Sequence, residues 1–284
     1  MLINKYPPLR EIVLFGYELF VEQKNIQPEL DLIFPKLIPE LINIKMKEGF
    51  PLLKKSEITV PFIQFKEVFK RISLTVAEKR KPLKSKILEL LKRFENKEID
   101  IWKLALSTLK GDEDTIKESN QKEKNGEIIG FLIRNSLKPF GNTCGIALNS
   151  YLPSEKSIWS QSYCPICGSY PLLAYIEGEE GRRSLICSWC DTSWAYPRLK
   201  CPYCHNTDQK DLNYFSLDEE EIKEEKDRVC VCEKCGKYIK TLEARKREGK
   251  KPIDFQLDDL ATIHLDLLAE REGYERMIRS FFFL

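Results

Sequence analysis

The sequence predicts an α+β protein: an N-terminal all-α domain, two small zinc-ribbon-like metal modules, and a C-terminal helix with an apolar tail. In the first 150 residues, apolar side chains recur at helical spacing. Beyond Trp159, nine of the ten cysteines fall between Cys164 and Cys235. A last amphipathic stretch follows Pro252. The predicted domains are residues 1–158, 159–200, 201–251 and 252–284.

Length and composition predict a globular chain that remains in the cytoplasm. With 284 residues, of which 42% are hydrophobic, the chain can build a substantial core. The chain has 46 Lys and Arg residues and 44 Asp and Glu residues. Its net charge is therefore too small to attract nucleic acid or an acidic membrane surface. The start lacks the pattern of an export signal, and no apolar run is long enough to span a bilayer.

Four apolar stripes predict helices in the first domain, each needing a partner helix to cover it. The stripes are Leu9, Ile12, Val13 and Gly16; Ile87, Leu90, Leu91 and Phe94; Trp102, Ala105, Leu106 and Leu109; and Ile129, Leu132, Ile133 and Ser136. Prolines at 35, 39, 51 and 61 divide the intervening segment into short pieces, because proline removes a helical N–H and crowds the preceding turn.

Four CxxC pairs carry the strongest signal in the sequence. They are Cys164 and Cys167, Cys187 and Cys190, Cys201 and Cys204, and Cys232 and Cys235. Two such pairs can complete a tetrahedral site of four sulfurs that suits zinc or iron. The 19 residues between the first two pairs match a known metal-site spacing, and 27 residues separate the last two. We therefore predict two metal ions, one for each consecutive couple of pairs.

Other uses of the cysteines and histidines stay open at this point. Disulfides and redox pairs fit four successive CxxC pairs poorly in a reducing compartment. The run from Cys201 to His205 also matches the c-type haem motif, although His205 reads more simply as a surface residue. Cys230 is expected to be a spare thiol, Cys144 a core residue, and His264 a helix residue without a ligand role.

The sequence favours a protein without enzymatic activity. It contains no paired nucleophile and base, no P-loop and no dinucleotide fingerprint, and it has only two histidines for general acid–base chemistry. We therefore expect no catalytic residues.

The C-terminal region predicts a helix and an apolar tail. Leu260, Ile263, Leu267 and Leu268 form the stripe, and Asp258 and Asp259 suit a helix N-terminus. The last four residues, Phe281 to Leu284, are expected to pack against the helical domain.

The cysteine region resembles the formate dehydrogenase accessory protein family, FdhE, over about residues 160–276. The matching segments are Tyr163 to Pro171, Arg183 to Trp194, Arg198 with Lys200, Cys232 to Thr241, Asp258 to Ala269 and Gly273 to Arg276. The sequence departs from the family pattern at Ser184, Ser193 and His205, the last standing where the family often has glycine. None of these departures removes a thiolate.

The resemblance implies a cytoplasmic accessory protein that assists maturation of formate dehydrogenase by binding its catalytic subunit before export. It also implies rubredoxin-like modules and favours iron as the metal, while zinc fits the same ligands. Contacts with the partner are predicted for Arg183, Arg198, Asp258 and Asp259. Solvated charge is the alternative explanation for the arginines, and helix capping with the favourable N-terminal dipole would explain the aspartates equally well.

A different class of function stays open from the residues alone. The modules could belong to a zinc-ribbon nucleic-acid binder or to a general protein-interaction module with purely structural metals. Because basic residues alternate with Glu and Asp, no continuous basic face is expected. We therefore predict neither a nucleic-acid partner nor membrane insertion.

Overall fold

The computed structural model describes residues 7–112, 123, 125–152, 159–216, 227–246, 254–278 and 280. These residues form two compact units: unit 1 lies within residues 1–36 and 53–147, and unit 2 within 37–52 and 148–280. The four domain boundaries drawn from the sequence stay predictions. The apolar tail lies outside the described residues. Within those ranges, no helix has the length and apolar character needed to cross a membrane.

The predicted stripes of the first half all lie in helices, which confirms the helical N-terminal half. The helices are α1 (Pro7–Ile26), α2 (Pro39–Glu48), α3 (Phe62–Lys79), α4 (Lys84–Glu95), α5 (Ile101–Lys110) and α6 (Gly126–Leu148). Helix α2 begins at Pro39. Proline suits the first helical position because it has no N–H, and an N–H at that position would have no partner within the helix.

Helix α3 is central to unit 1, where it packs against α1 and α4. Its buried face includes Phe65 and Phe69, whose rings lie 5.2 Å from Trp102 and 5.4 Å from Phe94, respectively. Arg71 on α3 pairs with Glu22 at 2.9 Å. These aromatic contacts give the helices a common core. A buried aromatic pair stabilises the fold beyond the contribution of the apolar area that it removes from water.

Unit 2 is built on one mixed sheet. Its strands are β1 (Pro171–Glu177), β2 (Arg182–Cys187), β3 (Ser193–Ala195), β4 (Leu212–Phe215), β5 (Arg228–Cys232), β6 (Lys237–Glu243) and β7 (Glu275–Arg276). The spatial order is β3-β2-β1-β6-β5-β4, and β7 also pairs with β6. Two antiparallel halves, β3-β2-β1 and β6-β5-β4, meet where β1 and β6 pair in parallel. The two cysteine modules therefore share one sheet.

The C-terminal stripe forms two short helices, although the sequence predicted one. Helix α7 (Phe255–Ala261) and helix α8 (Ile263–Arg271) are separated at Thr262. Neither Asp258 nor Asp259 caps a helix, because the cap of α7 is Asp254, whose carboxylate accepts from the backbone N–H groups of Gln256 and Leu257. Asp258 does lie in the first turn of α7, where the helix dipole favours an acidic side chain. Helices α7 and α8 contact β1, β5 and β6.

Helix α2 and the loop after it support the first CxxC pair within unit 2. Leu52 N donates to Pro165 O at 2.8 Å, and the Tyr163 hydroxyl donates to Gly49 O at 2.7 Å. Lys45 Nζ closes the loop by donating to Leu52 O at 2.7 Å. These bonds fix the backbone on which Cys164 and Cys167 stand.

Candidate metal centre

The first sulfur cluster joins the CxxC pair before β1 to the pair after β2. The Sγ atoms of Cys164, Cys167, Cys187 and Cys190 all lie within 4.8 Å of one another. Sγ–Sγ distances are 3.5 Å from Cys164 to Cys190, 3.4 Å from Cys167 to Cys187 and 3.7 Å from Cys167 to Cys190. All four side chains are buried.

The second sulfur cluster repeats this arrangement on the other half of the sheet. It joins the pair before β4 to the pair between β5 and β6, and its four Sγ atoms also lie within 4.8 Å of one another: Cys201, Cys204, Cys232 and Cys235. The sulfurs of Cys201 and Cys235 are 3.8 Å apart, and those of Cys204 and Cys232 are 3.6 Å apart. Cys204 and Cys235 are only partly buried.

The sulfur spacing fits a metal ion. Four sulfurs each about 2.3 Å from a central ion form a tetrahedron with edges of about 3.8 Å. The observed separations of 3.4 to 3.8 Å are close to that edge and much longer than the roughly 2.05 Å of a disulfide bond. Four thiolates suit zinc and iron equally in geometry.

All four CxxC turns end in a residue with a positive φ angle. The residue after each pair has a left-handed conformation: Gly168 at φ 72°, Asp191 at 58°, His205 at 60° and Gly236 at 65°. Backbone N–H groups inside the turns donate to sulfur, as Ile166 N does to Cys164 Sγ and Tyr203 N to Cys201 Sγ, both at 3.4 Å. The turn thus directs both sulfurs of a pair to one side.

The left-handed positions give a test of the turn geometry. A Cβ added at Gly236 would have no atom within 4 Å, so Gly236→Ala should cost only backbone strain, about 1 kcal/mol. At His205 the reverse change, His205→Gly, should not lower stability. Thermal unfolding of the metal-loaded variants measures both effects. An unchanged midpoint in Gly236→Ala would contradict the assigned turn.

The thiol pKa values show why metal binding must release protons. Burial raises the pKa of Cys164 and Cys190, and it raises that of Cys235 to about 11. For Cys167, burial acts in the same direction, but hydrogen bonds with the neighbouring thiols and with Ser169 outweigh it and lower the pKa. Since metals bind thiolates, affinity at both clusters should fall as the pH falls.

The two clusters differ in exposure, which predicts an order of metal loss. The first cluster is fully buried, whereas Cys204 and Cys235 of the second are partly exposed. A chelator should therefore remove metal in two phases, with the second cluster emptied first. Release is measured with a colorimetric chelator on the wild-type chain and on a Cys232→Ser, Cys235→Ser double variant. The account requires that the double variant lack the fast phase.

The remaining cysteines and histidines are placed outside the clusters. Cys230 lies on β5, where the Thr241 hydroxyl is 3.2 Å from its sulfur, and Cys144 is buried in α6. The His205 ring lies 3.4 Å from the Tyr196 hydroxyl and 3.5 Å from Ser162 Oγ. His264 lies on α8. None of these residues is grouped with the eight clustered sulfurs.

The four predicted partner contacts have different surroundings. Arg183 and Asp259 are buried, and each makes contacts within unit 2. The Asp258 carboxylate accepts from the Tyr175 hydroxyl at 2.6 Å. Arg198 is exposed. Binding to a partner stays a prediction for all four residues, and Arg198 is the one of them that is exposed.

A buried ion network beside β6 was not predicted from the sequence. Lys240 Nζ lies 2.8 Å from Asp259 Oδ1 and 2.7 Å from Asp266 Oδ2, and Arg276 also pairs with both carboxylates. Tyr238 donates to Asp266 at 2.9 Å. Burial raises the pKa of Asp259, but Arg276 and Lys240 outweigh it and hold that pKa well below its usual range. No signal in the sequence of β6, which also carries Lys237 and Glu243, marks Lys240 as buried.

The comparisons with known proteins agree on one family. The model described as "FdhE, central domain" matches residues 163–198, and "FdhE, C-terminal domain" matches residues 199–283. The "Protein FdhE homolog" of Aquifex aeolicus is 30% identical over 285 residues, covering 99% of this chain and 91% of that protein. "Protein FdhE" of Escherichia coli (strain SE11) is 38% identical over 120 residues, covering 41% of this chain and 36% of that protein.

The fold also matches a solved structure. The crystal structure of the FdhE protein from Pseudomonas aeruginosa superposes with a TM-score of 0.64 at 20% identity, covering 96% of this chain and 93% of that one. Both halves of the chain are thus included in the structural match.

Proposed function

Because the chain belongs to the FdhE family, we propose that it is an accessory protein that assists maturation of formate dehydrogenase by binding the catalytic subunit of that enzyme. The observation that carries this proposal is similarity across nearly the whole chain, including the helical half, together with two complete four-cysteine clusters. The proposed role of the chain in maturation of formate dehydrogenase follows from the family resemblance.

A binding role, without catalysis, suits the chemistry of the clusters. Four protein ligands close the coordination sphere of a metal and leave no position for a substrate, which is typical of structural sites. We therefore propose that the chain is not an enzyme. The cytoplasm is the proposed compartment, since reducing conditions keep the ten cysteines free as the structure has them.

Iron is the proposed metal, following the family resemblance, and zinc fits the same ligands. Bound iron would supply one-electron exchange at a site of four thiolates. The chain's own contribution is to hold the thiolates, to exclude water from the first cluster, and to place hydroxyls near sulfur. Ser169 Oγ lies 3.3 Å from Cys167 Sγ, and Thr192 Oγ1 lies 3.1 Å from Cys190 Sγ. Such hydrogen bonds tune a metal site.

The proposal is tested by anaerobic affinity purification of the full chain from cells that make formate dehydrogenase. The catalytic subunit should be recovered with the wild-type chain and with Cys230→Ser, which changes a thiol outside the clusters. The Cys232→Ser, Cys235→Ser variant should lose it, because the second cluster then lacks two ligands. Repeated absence of the subunit from wild-type eluates would overturn the proposal.

A further inference from the structure

A cavity lies on the sheet of unit 2, beside the second cluster. It is separate from the space that a metal ion would occupy between the four sulfurs. Its volume is about 210 Å³, and β1, β5 and β6 contribute apolar residues to its lining, among them Ile176, Val231 and Ile239. Cys201 and Cys232 of the second cluster also line it. It is smaller than the roughly 300–1,000 Å³ of pockets for drug-sized ligands, so it suits a small molecule.

The charged residues of the lining are all basic. Among the described residues, Arg183, Arg198, Lys200, Arg228 and Lys237 line the cavity, and no Asp or Glu does. Lys237 is neutralised by Glu275. For the other four, the described part of the chain offers no carboxylate within ion-pair distance, although three of them stack on tyrosines. Arg228 lies over the Tyr214 ring at 5.2 Å. Arg183 and Lys200 lie over the Tyr196 ring at 5.2 Å and 5.6 Å, respectively.

Arg183 gives the cavity lining a buried hydrogen-bond donor. Its side chain is nearly fully buried, with the residue 5% exposed. One terminal nitrogen donates to the carbonyls of Pro197 and Lys200, the latter at 2.6 Å, while its Nε has no hydrogen-bond partner. Buried donors in native proteins are almost always paired. An acceptor from a bound ligand would satisfy this one.

We propose that this cavity binds a small phosphate-bearing molecule. One carboxylate would neutralise only one of the four lining cations other than Lys237, whereas phosphate groups carry more charge and several acceptor oxygens. Arginine forks recognise phosphate through paired hydrogen bonds, and a concave basic site concentrates anions. The exposed Tyr214 ring, stacked under Arg228, gives the organic part of the ligand an apolar surface.

Calorimetric titration of the full metal-loaded chain with inorganic pyrophosphate tests the proposal at fixed ionic strength. Binding should saturate at one pyrophosphate per chain. Arg198→Ala and Arg228→Ala should each weaken it by at least about tenfold, the scale of a lost charge-assisted hydrogen bond. The control is Arg182→Ala, which removes an exposed arginine of β2 that pairs with Glu180 and is not part of the lining.

Three results would overturn the proposal. They are the absence of saturable binding to the wild-type chain, equal affinity in both arginine variants and the control, and tighter binding of citrate than of pyrophosphate, which would assign the cavity to polycarboxylates. Because Arg198 is exposed and is not a metal ligand, Arg198→Ala should keep its metal and fold. The titration uses purified protein alone, so its outcome is independent of any partner protein.

Discussion

Replacing Cys187 by serine is expected to unfold the sheet of unit 2 at temperatures where the wild-type chain is folded. Metal binding to a structural four-ligand site contributes an apparent 10–16 kcal/mol, about as much as the whole stability of a typical domain, ~5–15 kcal/mol. Cys187 is fully buried and is the last residue of β2, so its replacement leaves the first cluster with three of its four sulfur ligands. Near-ultraviolet circular dichroism during heating follows Trp189 and Trp194, which lie close by.

Cys230→Ser is the matched control for this loss. It makes the same atomic change on β5, at a thiol outside both clusters. Its unfolding midpoint should stay near the wild-type value. If Cys187→Ser unfolds at the wild-type midpoint with its aromatic signal intact, the sheet does not depend on the first metal.

Lys240→Met is expected to destabilise unit 2 by about 3–5 kcal/mol, because it removes one partner from a buried charge network. Lys240 is completely buried and lies within 2.8 Å of two carboxylates, and Arg276 would remain as the only described cation touching both. The two aspartates would then repel each other with insufficient compensation. Denaturant unfolding of the metal-loaded protein measures the difference.

Lys237→Met provides the comparison on the same strand. Lys237 pairs with the exposed Glu275, and exposed pairs add little to stability because water and salt screen them. The midpoint of Lys237→Met should therefore stay close to that of the wild-type chain. Equal effects of the two substitutions would mean that the buried network does not stabilise the unit.

The metal ligands could be predicted because their geometry is local. A CxxC turn sets the relative positions of two sulfurs within four residues, and the spacing between pairs then suggests which couples share an ion. The helices of unit 1 were likewise visible in stripes such as Ile87, Leu90 and Leu91. Helix α3 carries a similar stripe, with Phe65, Val68 and Phe69, which the sequence analysis did not single out.

Other features depend on distant pairing and could not be predicted from the sequence. The parallel contact between β1 and β6 joins segments about 70 residues apart, and nothing in either strand specifies its neighbour. Lys240 and Asp259 each resemble surface charge in the sequence and become a buried pair only when α7 packs near the sheet. The break at Thr262 was hidden because the apolar stripe continues through it.

Metal analysis of the anaerobically purified chain is the decisive measurement for the two clusters. We expect two transition-metal ions for each wild-type chain and for Cys230→Ser, and one for the Cys232→Ser, Cys235→Ser variant. A wild-type chain without bound metal, or one whose clustered sulfurs are joined as disulfides, would contradict this prediction.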